Sequence, residues 1–162
     1  MATLSVQEML AQKFEPHQKR RFLLAIEGID SYIIKTAARP KMAIQEIKIP
    51  YINSTRYIAG KAEWDKISVT LHDPIAPSGA QQVMEWIRLH FESVSGRAGY
   101  ADFYKRDLQI KMLDPVGTVV QLWDVKGAML TEVDFGSLEY SADTDLAEIT
   151  LSIRFDNAVL VY

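Results

Sequence analysis

The stretch DLAEITLSIRFD, residues 145–156, alternates apolar and polar side chains with a period of two. The apolar positions are Ala147, Ile149, Leu151, Ile153 and Phe155, and the polar positions between them are Glu148, Thr150, Ser152 and Arg154. Because successive side chains of an extended chain point to opposite faces, this pattern predicts a β-strand with one buried face. We expect the apolar face to pack on a helix or an opposing sheet. The polar face must contact water, a partner or the inside of something hollow.

The composition is that of one packed domain, 1–162, with 48% apolar and 24% charged residues. A net charge of −3 argues against a general binder of phosphate backbones. The absence of cysteine excludes disulfides, thiolate metal sites and thiol nucleophiles. The first residues do not form a signal-peptide pattern, and no later segment is apolar for long enough to span a bilayer, so a soluble intracellular product is expected.

Further strands are predicted on both sides of one clear helix. The predicted strands are 21–29, 31–40, 56–74, 106–113 and 117–126, and the turn or loop signals are Gly28 with Asp30, NSTR (53–56), DPVG (114–117), GAML (127–130), DFGS (134–137) and SADTD (141–145). The chain is therefore predicted to be mainly β with one main helix, as an antiparallel β-sandwich or barrel.

The segment 41–50 does not look like part of a central sheet. Neither of its sides is cleanly apolar, and Pro40 and Pro50 each lack a ladder donor. The segment is therefore predicted to be an edge strand or an arm, and not a central strand.

Two helices are predicted. In the first, 5–14, Ser5 and Glu8 form a capping box and Pro16 follows the end; it belongs to a short N-terminal helical arm within 1–18. In the second, 79–95, Ser78 is the cap and Gly96 the stop, and its apolar stripe is Val83, Ile87, Phe91 and Val94, with Trp86 and His90 beside it.

No reactive constellation is found. The residues that could carry chemistry are His17, His72 and His90, which lack metal-ligand spacing, and Trp64, Trp86 and Trp123, which could stack a sugar or a base but are expected in separate core positions. His90 is expected to be a packed helix histidine. The sequence thus predicts no enzyme, no cofactor and no metal.

Three stretches resemble the tail tube protein family of contractile-tailed bacteriophages. The first is 122–162, with a Lys-Gly-Ala turn (126–128), then Phe135, Gly136, Leu138 and Tyr140-Ser141, and an alternating strand ending Arg154-Phe155-Asp156. The second is 72–107, in which prolines precede a helix that is followed by a loop with glycines. The third is 33–71, which looks like the family's long hairpin arm and implies an extended loop arm at about 38–60. These are fold-level patterns, and together they cover most of the chain.

The resemblance implies a structural subunit of six-fold rings that stack into a hollow tube for DNA ejection. It implies these partners: further copies of the chain, a contractile sheath protein, baseplate and tail terminator proteins, and a tape measure protein and DNA in the lumen without sequence-specific binding. It implies no membrane, and a location in the virion tail after assembly in the host cytoplasm. A mildly acidic chain suits such a conduit, because a basic wall would grip the passing DNA.

Candidate subunit contacts follow from the two arms. The candidates are Arg39, Met42, Ile44, Ile49, Tyr51 and Tyr57 in the hairpin arm, and Val6, Met9, Leu10 and Phe14 in the N-terminal arm. For the channel wall we favour the strands near 31–49 and 55–71 with the hairpin 117–140, which leaves the polar face of 145–156 toward solvent or sheath.

Three alternatives stay open. The chain could be a baseplate tube initiator or cap, or the tube protein of a related contractile injection system. It could also be a soluble β-sandwich that binds carbohydrate or peptide, which would remain monomeric at high concentration.

Overall fold

A computed structural model describes residues 3, 5–9 and 14–162 of the chain. The strands are β1 Phe22–Ile26, β2 Ile34–Ala37, β3 Met42–Tyr51, β4 Ser54–Trp64, β5 Ile67–His72, β6 Arg106–Leu113, β7 Val119–Asp134, β8 Glu148–Arg154 and β9 Asn157–Leu160. The helices are α1 Val6–Met9, α2 Gly79–His90 and α3 Ala101–Tyr104, with a 3-10 turn at Ser31–Ile33. The predicted fold class, mainly antiparallel β with one main helix, is confirmed.

Seven strands form one antiparallel sheet in the order β1-β6-β7-β8-β5-β2, with β9 also paired to β7. The long strand β7 connects two halves of this sheet: its first part pairs with β6 and β9, and its last part, from Met129, pairs with β8. Strands β3 and β4 pair only with each other and form a separate two-stranded hairpin.

The strand predicted from DLAEITLSIRFD is confirmed as β8. Ile149, Leu151 and Ile153 have no exposed surface, and Phe155 is 4% exposed. They belong to a core that also takes Val83 and other residues from α2, β1, β5 and β6, so the apolar face packs as expected. Burying a large apolar side chain contributes about 1.5–3 kcal/mol, so β8 is a main anchor of the fold.

The second helix is confirmed at its start and is shorter than predicted at its end. The Ser78 hydroxyl accepts a hydrogen bond from the Gln81 N–H at 3.4 Å, but α2 ends at His90 rather than at 95. The chain turns back there, and the Gly99 N–H donates to the His90 carbonyl. A Cβ on Gly99 would lie 1.9 Å from the Leu89 carbonyl oxygen, so Gly99, not Gly96, permits this close approach.

That early end moves two residues of the predicted stripe out of the helix. Phe91 lies beyond α2 in a short bridge to Ala98 and is half exposed, and Val94 is 96% exposed. Val83 and Trp86 are fully buried instead.

The predicted break at GAML (127–130) is wrong, because β7 runs through it. Gly127 has φ +68°, and the pairing register shifts beside it. A Cβ there would lie 2.2 Å from the Asp156 carboxylate. Gly127 is therefore a bulge, and not a turn, beside which the pairing of β7 with β6 and β9 ends and its pairing with β8 begins.

The arm predicted at about 38–60 is present as the β3–β4 hairpin. Its turn lies at Ile52 and Asn53, at the near end of the predicted NSTR turn, and Ile52 has φ +47°. The domain bounds of 1–162 and of the two arms stay predictions.

The N-terminal helix can be followed only over part of 5–14. The Ser5 N–H donates to the Glu8 carboxylate at 2.7 Å and the Glu8 N–H to the Ser5 hydroxyl at 3.2 Å, so the capping box is confirmed. These bonds lower the pKa of Glu8. Residues 10–13 lie outside the described residues.

Candidate subunit interface

The β3–β4 hairpin is the most exposed apolar element of the described chain. Every residue of 41–59 is exposed, although the hairpin carries many large apolar side chains. Two-stranded hairpins are at best marginally stable in water. An exposed apolar hairpin of this length therefore needs a surface to cover it.

The pairing register divides these apolar side chains between the two faces of the hairpin. Ile47 lies opposite Ile58, and Met42 lies opposite Trp64. The register shifts between Ile44 and Glu46, where Gly60 approaches the Gln45 carbonyl. This places an extra residue on β4, while β3 continues to alternate. The large apolar residues of β3 are even-numbered before Gln45 and odd-numbered after it, so they lie on opposite faces. The extra residue lets Trp64 and Ile58 of β4 follow them, one on each face.

The hairpin consequently presents two apolar patches that face opposite ways. We call them the base patch, which is Met42 and Ile44 beside the half-buried Trp64, and the tip patch, which is Ile47, Ile49, Tyr51 and Ile58. This explains why neither side of 41–50 reads as apolar along its whole length. Two patches on opposite faces require two different covering surfaces.

The structure places the predicted hairpin candidates in different parts of this surface. Met42 and Ile44 lie in the base patch, Ile49 and Tyr51 in the tip patch, and Tyr57 on the other face of the tip, opposite Lys48. Arg39 lies outside the hairpin, near β1 and β6. Sequence reasoning missed Ile47 and Ile58, which are 48% and 43% exposed; the turn at Ile52 would have revealed their pairing.

The N-terminal candidates are exposed where they are described. Val6 is 69% and Phe14 is 74% exposed. The side chain of Met9 and the whole of Leu10 lie outside the described residues. Their part in subunit contacts stays a prediction.

Within the described residues, the half of the sheet that contains β8 has an unpaired strand at each end. It runs β7-β8-β5-β2, with β2 at one edge and the last part of β7 at the other. At the β7 edge, the Leu130 N–H donates to His90 Nε2 at 3.2 Å, and beyond it Thr131 and Glu132 are exposed. Unpaired edges can add a strand from another chain.

The surface of this half-sheet that faces away from the core is lined by short polar side chains. Across β5 and β8, Ser68 lies opposite Ser152, Thr70 opposite Thr150, and His72 opposite Glu148. Since β8 lies between β5 and β7 in one sheet, the three strands share this polar surface.

Ion pairs fix the bulge at Gly127. Lys105 contacts Asp156 at 2.7 Å and Lys126 contacts Asp107 at 3.0 Å. These hydrogen bonds raise the pKa of both lysines and lower that of Asp107. All four side chains are partly solvated, so each pair contributes little to stability and mainly orients the strand.

The histidines and tryptophans that could take part in catalysis or ligand binding lie in separate parts of the structure. Trp86 is buried and donates to the Tyr104 carbonyl at 2.7 Å, whereas Trp64 packs on Phe155. His90 is a packed helix histidine, as expected. Within 5–9 and 14–162, no three His, Asp or Glu side chains are grouped so that they could hold a metal ion. None of the helices described there is both long and apolar enough to cross a membrane.

Comparison with known proteins rests on structure alone. No protein-family model matches the chain, and no curated protein sequence matches it significantly. A chain in the cryo-EM structure of the anti-feeding prophage cap (AFP tube terminating cap) is similar with a TM-score of 0.74 and 15% identity, over 97% of this chain and 98% of that one.

Two further cryo-EM structures contain similar chains. One is the PVC sheath-tube complex in the extended state, an extracellular contractile injection system, with a TM-score of 0.71 and 14% identity over 98% of each chain. The other is the 6-fold symmetrised AFP baseplate, with a TM-score of 0.67 and 12% identity over 94% of this chain and 97% of that one. The chain therefore has the tail-tube type of fold that these contractile assemblies share.

Proposed function

We propose that the chain is a structural tube subunit that forms six-membered rings, which stack into a hollow conduit inside a contractile sheath. The observation that carries the proposal is the half-sheet β7-β8-β5-β2, whose two ends pair with no other strand of the described chain. When β2 of one copy pairs with β7 of the next, the sheet continues from copy to copy. A head-to-tail contact of this kind closes into a ring if its rotation divides a full turn.

Ring closure gives the polar surface of the half-sheet a role. One face of the half-sheet packs on the core, with α2 and the other strands behind it. A hollow ring requires that bulk on the outside, so the polar face with Thr70 and Thr150 lines the channel. In this arrangement the polar face of β8 points into the channel and not outward as expected from the sequence, because β8 lies between β5 and β7, which both belong to the expected channel wall.

Six copies per ring are supported by the similarity to a chain in the 6-fold symmetrised AFP baseplate. A sheath partner is supported by the similarity to a chain of the PVC sheath-tube complex. DNA is the cargo that the phage resemblance implies, and the net charge of −3 favours a wall that does not retain it. No catalytic step is part of this function.

Engineered disulfides test the ring directly, because the chain has no cysteine of its own. Thr36→Cys in β2 is combined in turn with Thr131→Cys, Glu132→Cys or Val133→Cys in β7. After oxidation, at least one combination should give a series of disulfide-linked oligomers up to the hexamer and no larger. Thr36→Cys alone should give no such series. Normal tubes without cross-linking in any register would overturn the proposed pairing.

Electron microscopy of the purified protein distinguishes the remaining functions. A tube subunit should form hollow tubes as concentration rises, whereas a carbohydrate- or peptide-binding module should remain a monomer. The second candidate, a tube-terminating cap, is favoured by the similarity to the AFP cap structure. A cap should form single rings that bind preformed tubes and do not polymerise.

A labelling experiment tests the channel wall. Thr150→Cys in assembled tubes should react with a small maleimide and not with one too bulky to enter the channel. Efficient reaction with the bulky reagent along the whole tube would place this face outside.

A further inference from the structure

A groove with a cationic rim lies where the ends of β1 and β2 approach each other. Its rim carries His17, Lys19 and Arg39, and its floor is apolar, formed in part by Phe22, Ile110 and Met112; the cavity is about 290 Å³. None of the three rim side chains forms a salt bridge with another residue of the described chain. We call this site the basic groove. A cationic rim over an apolar floor fits a ligand that is both acidic and apolar.

The chain itself carries a segment with that chemistry. The loop 135–147, between β7 and β8, contains Glu139, Asp143 and Asp145 and no lysine or arginine. Asp134 and Glu148 flank it. We call this segment the acidic loop.

The acidic loop also presents apolar side chains to solvent. Leu138 is 92% exposed, Leu146 is 73% exposed and Tyr140 is fully exposed. Exposed carboxylates and large apolar side chains therefore alternate along one short loop. They match the two features of the groove, its cationic rim and its apolar floor.

The groove and the acidic loop lie at opposite ends of β7. The start of β7 is next to the groove, because Leu113 pairs with Val119 and the Leu113 N–H donates to the Arg21 carbonyl. The end of β7, Asp134, leads into the acidic loop. No loop residue is among those that line the groove, so within the described chain the two are apart. A loop at one end that fits a groove at the other joins copies in a head-to-tail series.

We propose that the acidic loop of one copy docks into the basic groove of a copy in the adjacent ring, so that charge complementarity sets the direction and register of stacking. This inference rests on the proposed tube function and names the contact that would join its rings. Opposite charges accelerate the correct encounter, and like charges across the same contact oppose a reversed ring.

Charge reversal on each side provides the test. The groove variant is Lys19→Glu with Arg39→Glu, and the loop variant is Asp143→Lys with Asp145→Lys. None of these four side chains makes a hydrogen bond or ion pair with another described residue, so each variant should fold and form rings. Each alone should need at least about a tenfold higher concentration to form tubes, because like charges then face each other.

Mixing gives the decisive result. Rings of the groove variant and rings of the loop variant, prepared separately, should stack together into tubes, because each acidic or basic loop then meets a groove of opposite charge. A single chain with all four substitutions should also polymerise. The matched control is Arg20→Glu, which changes a charge in the same segment outside the groove lining and should leave tube formation near wild type.

The possible results separate this inference from the proposed function. If the wild type forms no rings at all, the proposed tube function fails. If the wild type forms tubes and both variants form them at the same concentration, the docking contact is wrong and the tube function stands. If the variants fail alone and also fail together, the charges act within each subunit, and the docking contact is again wrong.

Discussion

His90 Nε2 accepts a hydrogen bond from the Leu130 N–H at 3.2 Å, so the end of α2 caps the unpaired edge of β7. The other ring nitrogen, Nδ1, lies 2.9 Å from the Trp86 carbonyl oxygen. This network requires the neutral tautomer with its proton on Nδ1. The ring also stacks on Tyr104, with centroids 4.4 Å apart.

The contact makes folding sensitive to mild acid. Burial lowers the pKa of His90, the hydrogen bond to Trp86 opposes this, and the nearby charge of Arg106 lowers it further. Above the ordinary histidine pKa of about 6.5, His90 is neutral in both states and its contribution is complete. As the pH falls below that value, the unfolded chain takes up a proton that the folded chain resists, so stability decreases.

Urea denaturation at pH 7.5 and 5.5 measures this dependence, with His90→Phe as the comparison. Phenylalanine keeps a ring beside Tyr104 and removes both the acceptor and the titrating group. The free energy of unfolding of the variant should be about 1–3 kcal/mol lower at pH 7.5, because the Leu130 N–H is left without its partner. From pH 7.5 to 5.5, its free energy of unfolding should also fall by less than that of the wild type. An equal pH dependence in the variant would mean that His90 is not the group responsible.

The two faces of β8 should respond differently to truncation. Leu151→Ala and Ile153→Ala should each lower the free energy of unfolding by about 2–5 kcal/mol, because both side chains are fully buried. Thr150→Ala, next to Leu151 on the exposed face, should change it by no more than about 0.5 kcal/mol. Chemical denaturation of the monomer measures all three. Similar values for all three would mean that β8 is not the two-faced strand described.

The sequence predicts those features of the fold that depend on local patterns. The alternation around Leu151 predicts β8, and Pro40 and Pro50 predict an arm outside the main sheet. Gly127 and Gly96 are misread for a common reason. Glycine permits a turn, a bulge or a close approach equally well, and the tertiary neighbour decides among them. That neighbour is Asp156 at Gly127, and the Leu89 carbonyl requires a glycine at 99 instead of a stop at 96.

The candidate surfaces depend on pairing over longer distances. The change of apolar face at Gln45 is visible within β3 itself, but the extra residue beside Gly60, which brings Ile58 opposite Ile47, is not. The basic groove joins Lys19, Arg39 and Met112, which are far apart in sequence and meet because the ends of β1 and β2 approach each other. Its charges are visible in the sequence, but their grouping is not.

The N-terminal arm should become protected from hydrogen exchange when tubes form. Val6 and Phe14 are largely exposed in the single chain, and so short a helix is marginally stable alone despite its Ser5–Glu8 capping box. Amide exchange of residues 5–14 should therefore be fast in the monomer and slowed at least about tenfold in tubes. The α2 amides should be protected in both states and serve as the internal reference. Equal exchange of the arm in both states would exclude docking on a neighbour.

The hairpin arm should be dispensable for folding and required for assembly. Deleting 47–58 and joining the paired residues Glu46 and Ala59 through an Asn-Gly turn should leave a folded monomer, because the deleted residues are exposed and, among the described residues, β3 and β4 pair only with each other. Its thermal unfolding should stay near that of wild type. It should form no tubes by negative-stain microscopy. Normal tubes would mean that the arm is not a subunit contact.

Point substitutions should show whether the two hairpin patches meet different surfaces. Ile47→Thr with Ile58→Thr removes much of the tip patch, and Met42→Thr with Ile44→Thr removes much of the base patch; threonine retains the preference for an extended backbone. Monomer stability should change by no more than about 1 kcal/mol in each variant, because all four side chains are more than 40% exposed. If one patch covers a neighbour within the ring and the other covers the next ring, one variant should fail to form rings, while the other forms rings that do not stack. Lys48→Gln, on the opposite face of the tip, is the control and should assemble normally. If both variants stop at the same step, the two patches serve a single contact. They would then not act separately in ring formation and in stacking.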